Sequence, residues 1–220
     1  DADTSAPLSN AVISIYEINN LVTPVNSWET DKDADPYKVT GLETGHTYVI
    51  VEEKAPAGYT IRTNTYFAIT DDGKITTDGL QFPATVEGDV ILVKDTKTEV
   101  EFGKVDADNN MLPGAEFQIW TADESKKVFE FGSTLGIVKY SGILSINVEY
   151  ILRESKAPDG YTLAADIHFM LDDNGNILAP DGNALPNVNA DGVIIVEDAK
   201  TKVTVSKTGE DVTGELEGAK

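Results

Sequence analysis

The segment YILRESKAPDGY, from Tyr150 to Tyr161, decides the fold of this chain. It begins as a short alternating strand and breaks at the turn of residues 157–160. Side chains alternate across a strand with a period of two, so Tyr150, Leu152 and Glu154 share one face. Because Tyr150 and Leu152 are apolar, this face is expected to point into a core. Glu154 therefore ends an inward row, where a carboxylate needs a compensating partner.

A second copy of this segment lies upstream and reads YVIVEEKAPAGY, from Tyr48 to Tyr59. Tyr48, Ile50 and Glu52 hold the positions that Tyr150, Leu152 and Glu154 hold in the downstream copy. One inward acid could arise by chance, but two in the same register indicate an internal repeat.

Short alternating segments separated by turn clusters continue along the whole chain. The predicted strands cover residues 11–18, 48–51, 65–69, 90–93, 116–120, 150–152, 167–171 and 193–196. No segment keeps helical periodicity over three turns, and residues 126–131 are too short and mixed to assign. Many short strands with regular turns predict an all-β chain of antiparallel β-sandwiches.

The repeat has a period of roughly a hundred residues, which sets the domain count. VILVKDTKTEVEFGK at 90–104 matches VIIVEDAKTKVTVSK at 193–207. We therefore predict a first domain at 1–97, a second at 98–200, and the first strand of a truncated third domain at 201–220. The joints contain no flexible Gly/Ser linker, which indicates a semi-rigid rod.

Composition excludes several classes of function. The chain has 38 acidic and 17 basic residues, a formal charge of −21, which argues against nucleic-acid or anionic-membrane partners. It has no cysteine, hence no disulfide framework and no thiolate metal site, and its two histidines lie in different repeat units. We predict no metal and no cofactor. No apolar run is long enough to span a bilayer.

Three predicted strands of the second unit each end an inward apolar row with an ionisable residue: Lys104, Glu154 and Asp198. Burial raises the pKa of a carboxyl and lowers that of a lysine, so a buried trio favours neutral forms. A neutral amine is a nucleophile and a protonated carboxyl is an acyl group, while a second carboxyl can shuttle protons. We predict an amide between Lys104 Nζ and Asp198 Cγ, formed with loss of water.

The first unit supplies two of the three residues, Glu52 and Asp95. By alignment of the repeats, its lysine would stand one residue before Asp1, so the chain is expected to begin inside the first strand of that domain. Cross-linking of the first domain is therefore in question.

With these residues, the chain resembles the Cna B-type domains (collagen-adhesin B-repeats, SpaA-like pilin domains) of Gram-positive surface proteins. The resemblance is carried by the two segments quoted above, by LPGAEF after a strand-borne lysine, and by a terminal strand ending in Asp. It implies tandem immunoglobulin-like β-sandwiches and a spontaneous isopeptide bond from Lys104 to Asp198, assisted by Glu154. The family more often uses Asn as acyl partner, so Asp198 changes the leaving group from ammonia to water.

The resemblance implies a structural stalk module of a cell-surface adhesin or pilus subunit. Such a protein is extracellular and anchored to the cell wall by a segment outside this stretch. Self-cross-linking happens once per molecule, so no enzyme is predicted. The alternative is a ligand-binding adhesin module that recognises a host matrix protein or glycan. A hydrolase using Glu154 and Asp198 would need an open cleft, and a single inward Glu or Lys is more often structural than reactive.

The expected partners are neighbouring domains of the same surface protein. The tail could also act in trans, because Val203, Val205 and Lys207 repeat the apolar row that ends in Lys104. Added to the first domain of another molecule, this strand would bring Lys207 near Asp95 in a head-to-tail association. The competing expectation is a disordered tail or an extension of the last strand.

Overall fold

The computed structural model describes residues 1–206, and these contain fifteen β-strands and no helix. The first domain holds seven strands: β1 Val12–Glu17, β2 Asn26–Glu29, β3 Thr47–Lys54, β4 Thr65–Ile69, β5 Ile75–Thr76, β6 Thr85–Glu87 and β7 Val90–Leu92. The second domain holds eight: β8 Glu99–Asp106, β9 Glu116–Thr121, β10 Lys127–Gly132, β11 Val138–Ser141, β12 Glu149–Lys156, β13 Ile167–Leu171, β14 Ile177–Leu178 and β15 Ile194–Asp198. None of the described elements is a helix that could cross a membrane.

The first domain is built on an antiparallel five-stranded sheet with the order β2-β1-β3-β4-β5. The hairpin of β6 and β7 forms a separate two-stranded sheet. Ile91 of this hairpin and the following Val93 pack against the core of the five-stranded sheet. That core consists of Ala11, Ile13, Ile15, Tyr48, Ile50, Phe67 and Ala84.

The second domain repeats the five-stranded sheet in the order β10-β9-β12-β13-β14. A three-stranded sheet, β11-β8-β15, supplies the rest of its strands. Both sheets contribute to one core: Val100, Phe102, Ala115, Phe117, Ile119, Leu144, Tyr150, Leu152, Ile167, Phe169, Leu171, Leu185, Ile194 and Val196. Residues of the same face, two apart along each strand, provide most of these contacts, as strand alternation requires.

The two domains also share their strand register. Tyr48 lies opposite Phe67 in the first domain, and Tyr150 lies opposite Phe169 in the second. The all-β prediction is confirmed, and the boundaries at 97/98 and 200/201 stay predictions.

One pairing differs from the antiparallel arrangement that the turn-rich sequence predicted. Strands β8 and β15 run parallel, with Lys104 opposite Val196. Hairpin turns force antiparallel pairing between neighbouring strands, but these two are the first and last of the domain and are not joined by a hairpin.

Strand β10 was not predicted, because Lys127–Gly132 mixes charged and aromatic residues over one short stretch. In the structure Phe129 and Phe131 pack against the core of the second domain. Lys127 and Glu130 form an exposed ion pair of 2.5 Å. Pairing with β9 therefore determines the strand conformation of this segment more than its own residue pattern does.

Candidate cross-linking site

Lys104, Glu154 and Asp198 meet in the interior of the second domain. Lys104 comes from β8 and Asp198 from the end of β15, which are paired, while Glu154 comes from β12 of the other sheet. Their side chains are 1%, 0% and 0% exposed. The parallel register sets Lys104 opposite Val196, so Asp198 is two residues further along on the same face.

The lysine amine is very close to the aspartate carboxyl. Lys104 Nζ lies 2.5 Å from Asp198 Oδ1 and 3.7 Å from Glu154 Oε1. The same Nζ donates a long hydrogen bond of 3.4 Å to Val196 O. Among the described residues, neither carboxyl oxygen of Asp198 accepts a hydrogen bond of good geometry, although both are buried. Lys104 Nζ is thus close to the Asp198 carboxyl, but the geometry is not that of a hydrogen-bonded ion pair.

Glu154 is held by one backbone donor. Its Oε2 accepts the N–H of Ala164 at 2.7 Å, whereas its Oε1 is buried without a hydrogen-bond partner in residues 1–206. Burial raises the pKa of the Glu154 carboxyl, the Ala164 N–H and Lys104 lower it, and the neighbouring Asp198 raises it again. The net effect is upward, so Glu154 holds a proton more readily than an exposed glutamate does.

A small cavity of about 10 Å³ adjoins the site. Lys104, Ser133 and Val196 are among its lining residues, together with aromatic side chains of the core. A volume of this size is roughly that of one water molecule. The three side chains are therefore enclosed, with room beside Lys104 for about one water molecule.

The first domain brings together Glu52 and Asp95 in the same way. Both residues are 4% exposed, and Glu52 Oε2 accepts the N–H of Arg62 at 2.6 Å. Burial raises the pKa of Glu52 to about 7 and also raises that of Asp95. Glu52 Oε1 and Asp95 Oδ1 have no hydrogen-bond partner in the part of the chain that the structure describes. Within residues 1–206, no lysine forms an ion pair with this carboxyl pair.

The start of the chain lies where the end of β8 lies in the second domain. Ala2 N–H donates to Asp95 O at 2.8 Å, and in the second domain Asp106 is the residue paired with Asp198. The repeat alignment and the backbone pairing therefore assign the same position to residues 1 and 2.

A family model for the SpaA prealbumin-like fold domain matches residues 1–81 and 98–183, which is more than half of the chain. The chain belongs to this family. The two matches contain Glu52 and Glu154, one in each matched range, whereas Asp95 and Asp198 lie just beyond the ends of these ranges. No curated protein matches the chain.

Several solved structures resemble the pair of SpaA domains. The Bacillus anthracis TIE protein has 27% identity and a TM-score of 0.41, over 88% of this chain and 31% of that chain. The C-terminal fragment of the pilus adhesin SpaC from Lactobacillus rhamnosus GG has 16% identity and a TM-score of 0.43, over 90% and 91%. The shaft pilin spaA from the same organism has 17% identity and a TM-score of 0.38, over 92% and 92%. The chain spans about a third of the length of the TIE protein.

The sequence did not reveal the backbone donors that hold the two glutamates. In both SpaA domains the donor is the N–H ten residues downstream, Arg62 for Glu52 and Ala164 for Glu154. A backbone donor leaves no mark in residue type, so only the equal spacing in the two repeats could have indicated it.

Lys207, predicted as the first-strand lysine of a third domain, lies outside the described residues. Residues 201–206 form no strand, and Val203 and Val205 are each 85% exposed. Head-to-tail association through this segment stays a prediction.

Proposed function

We propose that this protein is a stalk module of a Gram-positive surface adhesin or pilus subunit, stabilised by an isopeptide bond between Lys104 and Asp198. The observation that carries the proposal is the 2.5 Å approach of Lys104 Nζ to the Asp198 carboxyl, with Glu154 beside them in a closed core. Membership of the SpaA family supports the assignment to a surface pilin or adhesin.

The proposed bond forms by condensation. Lys104, as a free amine, attacks Cγ of the protonated Asp198 carboxyl, a nitrogen–carbon bond forms, and the C–OH bond breaks. Glu154 takes a proton from the attacking nitrogen and delivers one to the departing hydroxyl, which leaves as water. Its raised pKa suits both halves of this transfer. The adjoining cavity has room for about one water molecule, which is the product of the step.

The alternative for the same three residues is a permanent buried ion pair. Desolvation of two charges is unfavourable unless further hydrogen bonds satisfy them. Both Asp198 oxygens lack such bonds within residues 1–206. Conversion to an amide removes both charges at once, and for this reason we prefer the cross-link.

The bond would change the stability and the mechanical resistance of the domain, and it would act on no separate substrate. It closes a loop of roughly 95 residues, which by analogy with disulfides restricts the unfolded chain by about 4–5 kcal/mol. The product stays in the protein, so the reaction runs once per molecule and the protein is not an enzyme. A hydrolase would need solvent and substrate to reach side chains that are at most 1% exposed. In a longer surface protein, anchored to the cell wall, the module would connect neighbouring domains.

A second candidate function, ligand binding, is favoured by a cleft of about 480 Å³ that is lined by residues of the first domain and, at one side, by Asn174 of the second. Its volume lies in the range of small-ligand sites. Arg62 and Lys94 supply positive charge, Asn64 and Asn174 supply amide groups, and Phe82 is a 55% exposed ring at the cleft. A host glycan with an acidic group fits this lining. Loss of glycan binding in Phe82→Ala, measured against an acidic glycan panel, would support the function, and absence of binding by the parent protein would exclude it.

The intact mass tests the cross-link. We expect the purified chain to weigh about 18 Da less than its sequence, because one water is lost. Glu154→Gln should restore the full mass, since the proton shuttle is removed. Glu52→Gln is the matched control, because it changes the equivalent residue of the first domain and should leave the reduced mass intact. A parent chain of full mass would overturn the proposal.

A further inference from the structure

The two domains meet at a joint made of backbone groups. Thr98, the residue just before β8, donates its N–H to Gly58 O at 2.9 Å. Its Oγ1 donates to Leu144 O at 2.6 Å, and its carbonyl accepts the N–H of Gly142 at 2.8 Å. Thr98 thus connects the turn after β3 to the loop after β11, and it is only 2% exposed.

The joint depends on a close approach of two glycines. A Cβ built on Gly58 would lie 2.3 Å from Gly142 O, which is a backbone atom and cannot swing away. A second contact lies nearby, where Ile61 N–H donates to Asp173 O at 3.0 Å. Two separate points of contact fix the orientation of one domain on the other, whereas a single point would leave it free to pivot.

The second domain carries the same surface, and no residue of 1–206 covers its central glycine. Thr201 donates its N–H to Gly160 O at 2.9 Å, as Thr98 does to Gly58. A Cβ built on Gly160 meets no atom of the described residues within 4 Å. Leu163, which corresponds to Ile61 in the repeat, is 58% exposed. The turn therefore has the shape for a contact that no residue of the described stretch makes at this end.

We propose that the surface formed by Gly160, Thr201 and Leu163 is the docking site for a further domain of the same family, joined directly after residue 200. The docking element would be a loop equivalent to Ser141–Leu144, seated as that loop is seated on the first domain. The proposal rests on the stalk function but not on the cross-link, because it concerns the orientation of domains.

The occupant is identified by the joint that is already filled. Thr98 belongs both to the docking surface and to the start of the docked domain, so the partner is the domain that follows in the same chain. Val203 and Val205 agree with this: they repeat Val100 and Phe102, which are 2% and 3% exposed, yet are themselves 85% exposed. The body of a following domain, packed on their face of the strand as in the second domain, would bury both.

The first test asks whether the existing joint is fixed. The chain contains no cysteine, so spin labels attach only at introduced positions, for example Lys38→Cys and Asp191→Cys, which are exposed sites in the two domains. We expect a single narrow distance distribution in the parent and a broad one in Gly58→Ala. Gly160→Ala is the matched control, because its φ of 86° nearly equals the 84° of Gly58 while its Cβ has free space. It should leave the distribution narrow.

The second test fills the proposed site. A longer chain is made in which residues 1–200 are followed directly by a second copy of residues 98–220. Thr98 of the added copy then stands where Thr201 stands in the parent. Labels in the second and added domains should give the same narrow distribution as the first joint, and Gly160→Ala should now broaden it. A broad distribution, or no effect of Gly160→Ala, would overturn the proposal. So would a dimer of the 220-residue chain that Gly160→Ala dissolves, since the occupant would then be a second molecule. The intact mass separately reports the cross-link.

Discussion

Raising the pH should destabilise the first domain through Glu52. The pKa of this carboxyl is about 7 in the folded domain and 4.5 when exposed, because the side chain is buried. The folded state therefore holds the proton more tightly than the unfolded state. This contribution is fully present below pH 4.5 and is lost as the pH rises through about 7. Since one pKa unit is about 1.4 kcal/mol, the shift corresponds to a loss of about 3 kcal/mol in the free energy of unfolding.

The two tryptophans allow this loss to be measured in one domain. Trp28 lies in the first domain and Trp120 in the second, so a Trp120→Phe chain reports the first domain alone. Urea unfolding followed by fluorescence would be recorded between about pH 4.5 and pH 8. General charge repulsion in this acidic chain also grows with pH, so a second chain with Glu52→Gln supplies the baseline.

The expected result is a fall of about 3 kcal/mol in the parent and a smaller fall in the Glu52→Gln chain, where the raised pKa of Asp95 still contributes. Glutamine keeps a carbonyl oxygen that can accept the N–H of Arg62, so the variant should still fold. Equal slopes in the two chains, or a stability that increases with pH across this window, would refute the assignment of a buried protonated Glu52.

Three further outcomes are expected. Gly103→Ala should destabilise the second domain by at most about 1 kcal/mol in urea unfolding, because its Cβ would lie 2.8 Å from the flexible ends of two isoleucine side chains, which can move aside. Gly132→Ala, with no atom nearer than 3.6 Å, should have a smaller effect, and equal effects would contradict this packing argument. Asp198→Asn should lose about 17 Da as ammonia instead of about 18 Da as water, so that the mature variant and parent weigh the same; a difference of one mass unit would argue against a common amide. Limited proteolysis should cut residues 1–97 before 98–200, because within residues 1–206 it is the second domain that brings a lysine, a glutamate and an aspartate together for a closed loop, and the opposite order would count against it.

Much of the fold was accessible from the sequence because burial on one face of a strand imposes a period of two. Tyr150, Leu152 and Glu154 followed this rule, and all three are buried. The rule also brought Lys104 and Asp198 to the interior, where the structure places their side chains together. The pattern could not give the direction of pairing between β8 and β15, because alternation is the same in parallel and antiparallel sheets.

The joint between the domains was not predicted beyond its lack of a flexible linker. Most of its contacts are made by backbone groups of Gly58, Thr98 and Gly142, and residue type records such contacts weakly. The turn around Gly58 was recognised only as a turn. Gly58 faces the other domain, whereas its equivalent in the repeat, Gly160, has no described atom near its Cβ position. This difference depends on tertiary structure.

The parallel pairing of β8 and β15 determines how the second domain meets a pulling force. The chain enters at the beginning of β8 and leaves at the end of β15, so opposite pulls on the two ends slide the strands along each other. In this shear geometry the inter-strand hydrogen bonds bear load simultaneously, whereas an antiparallel pair pulled from one end would unzip bond by bond. Even before any covalent link between Lys104 and Asp198, the strand order alone favours a domain that resists extension.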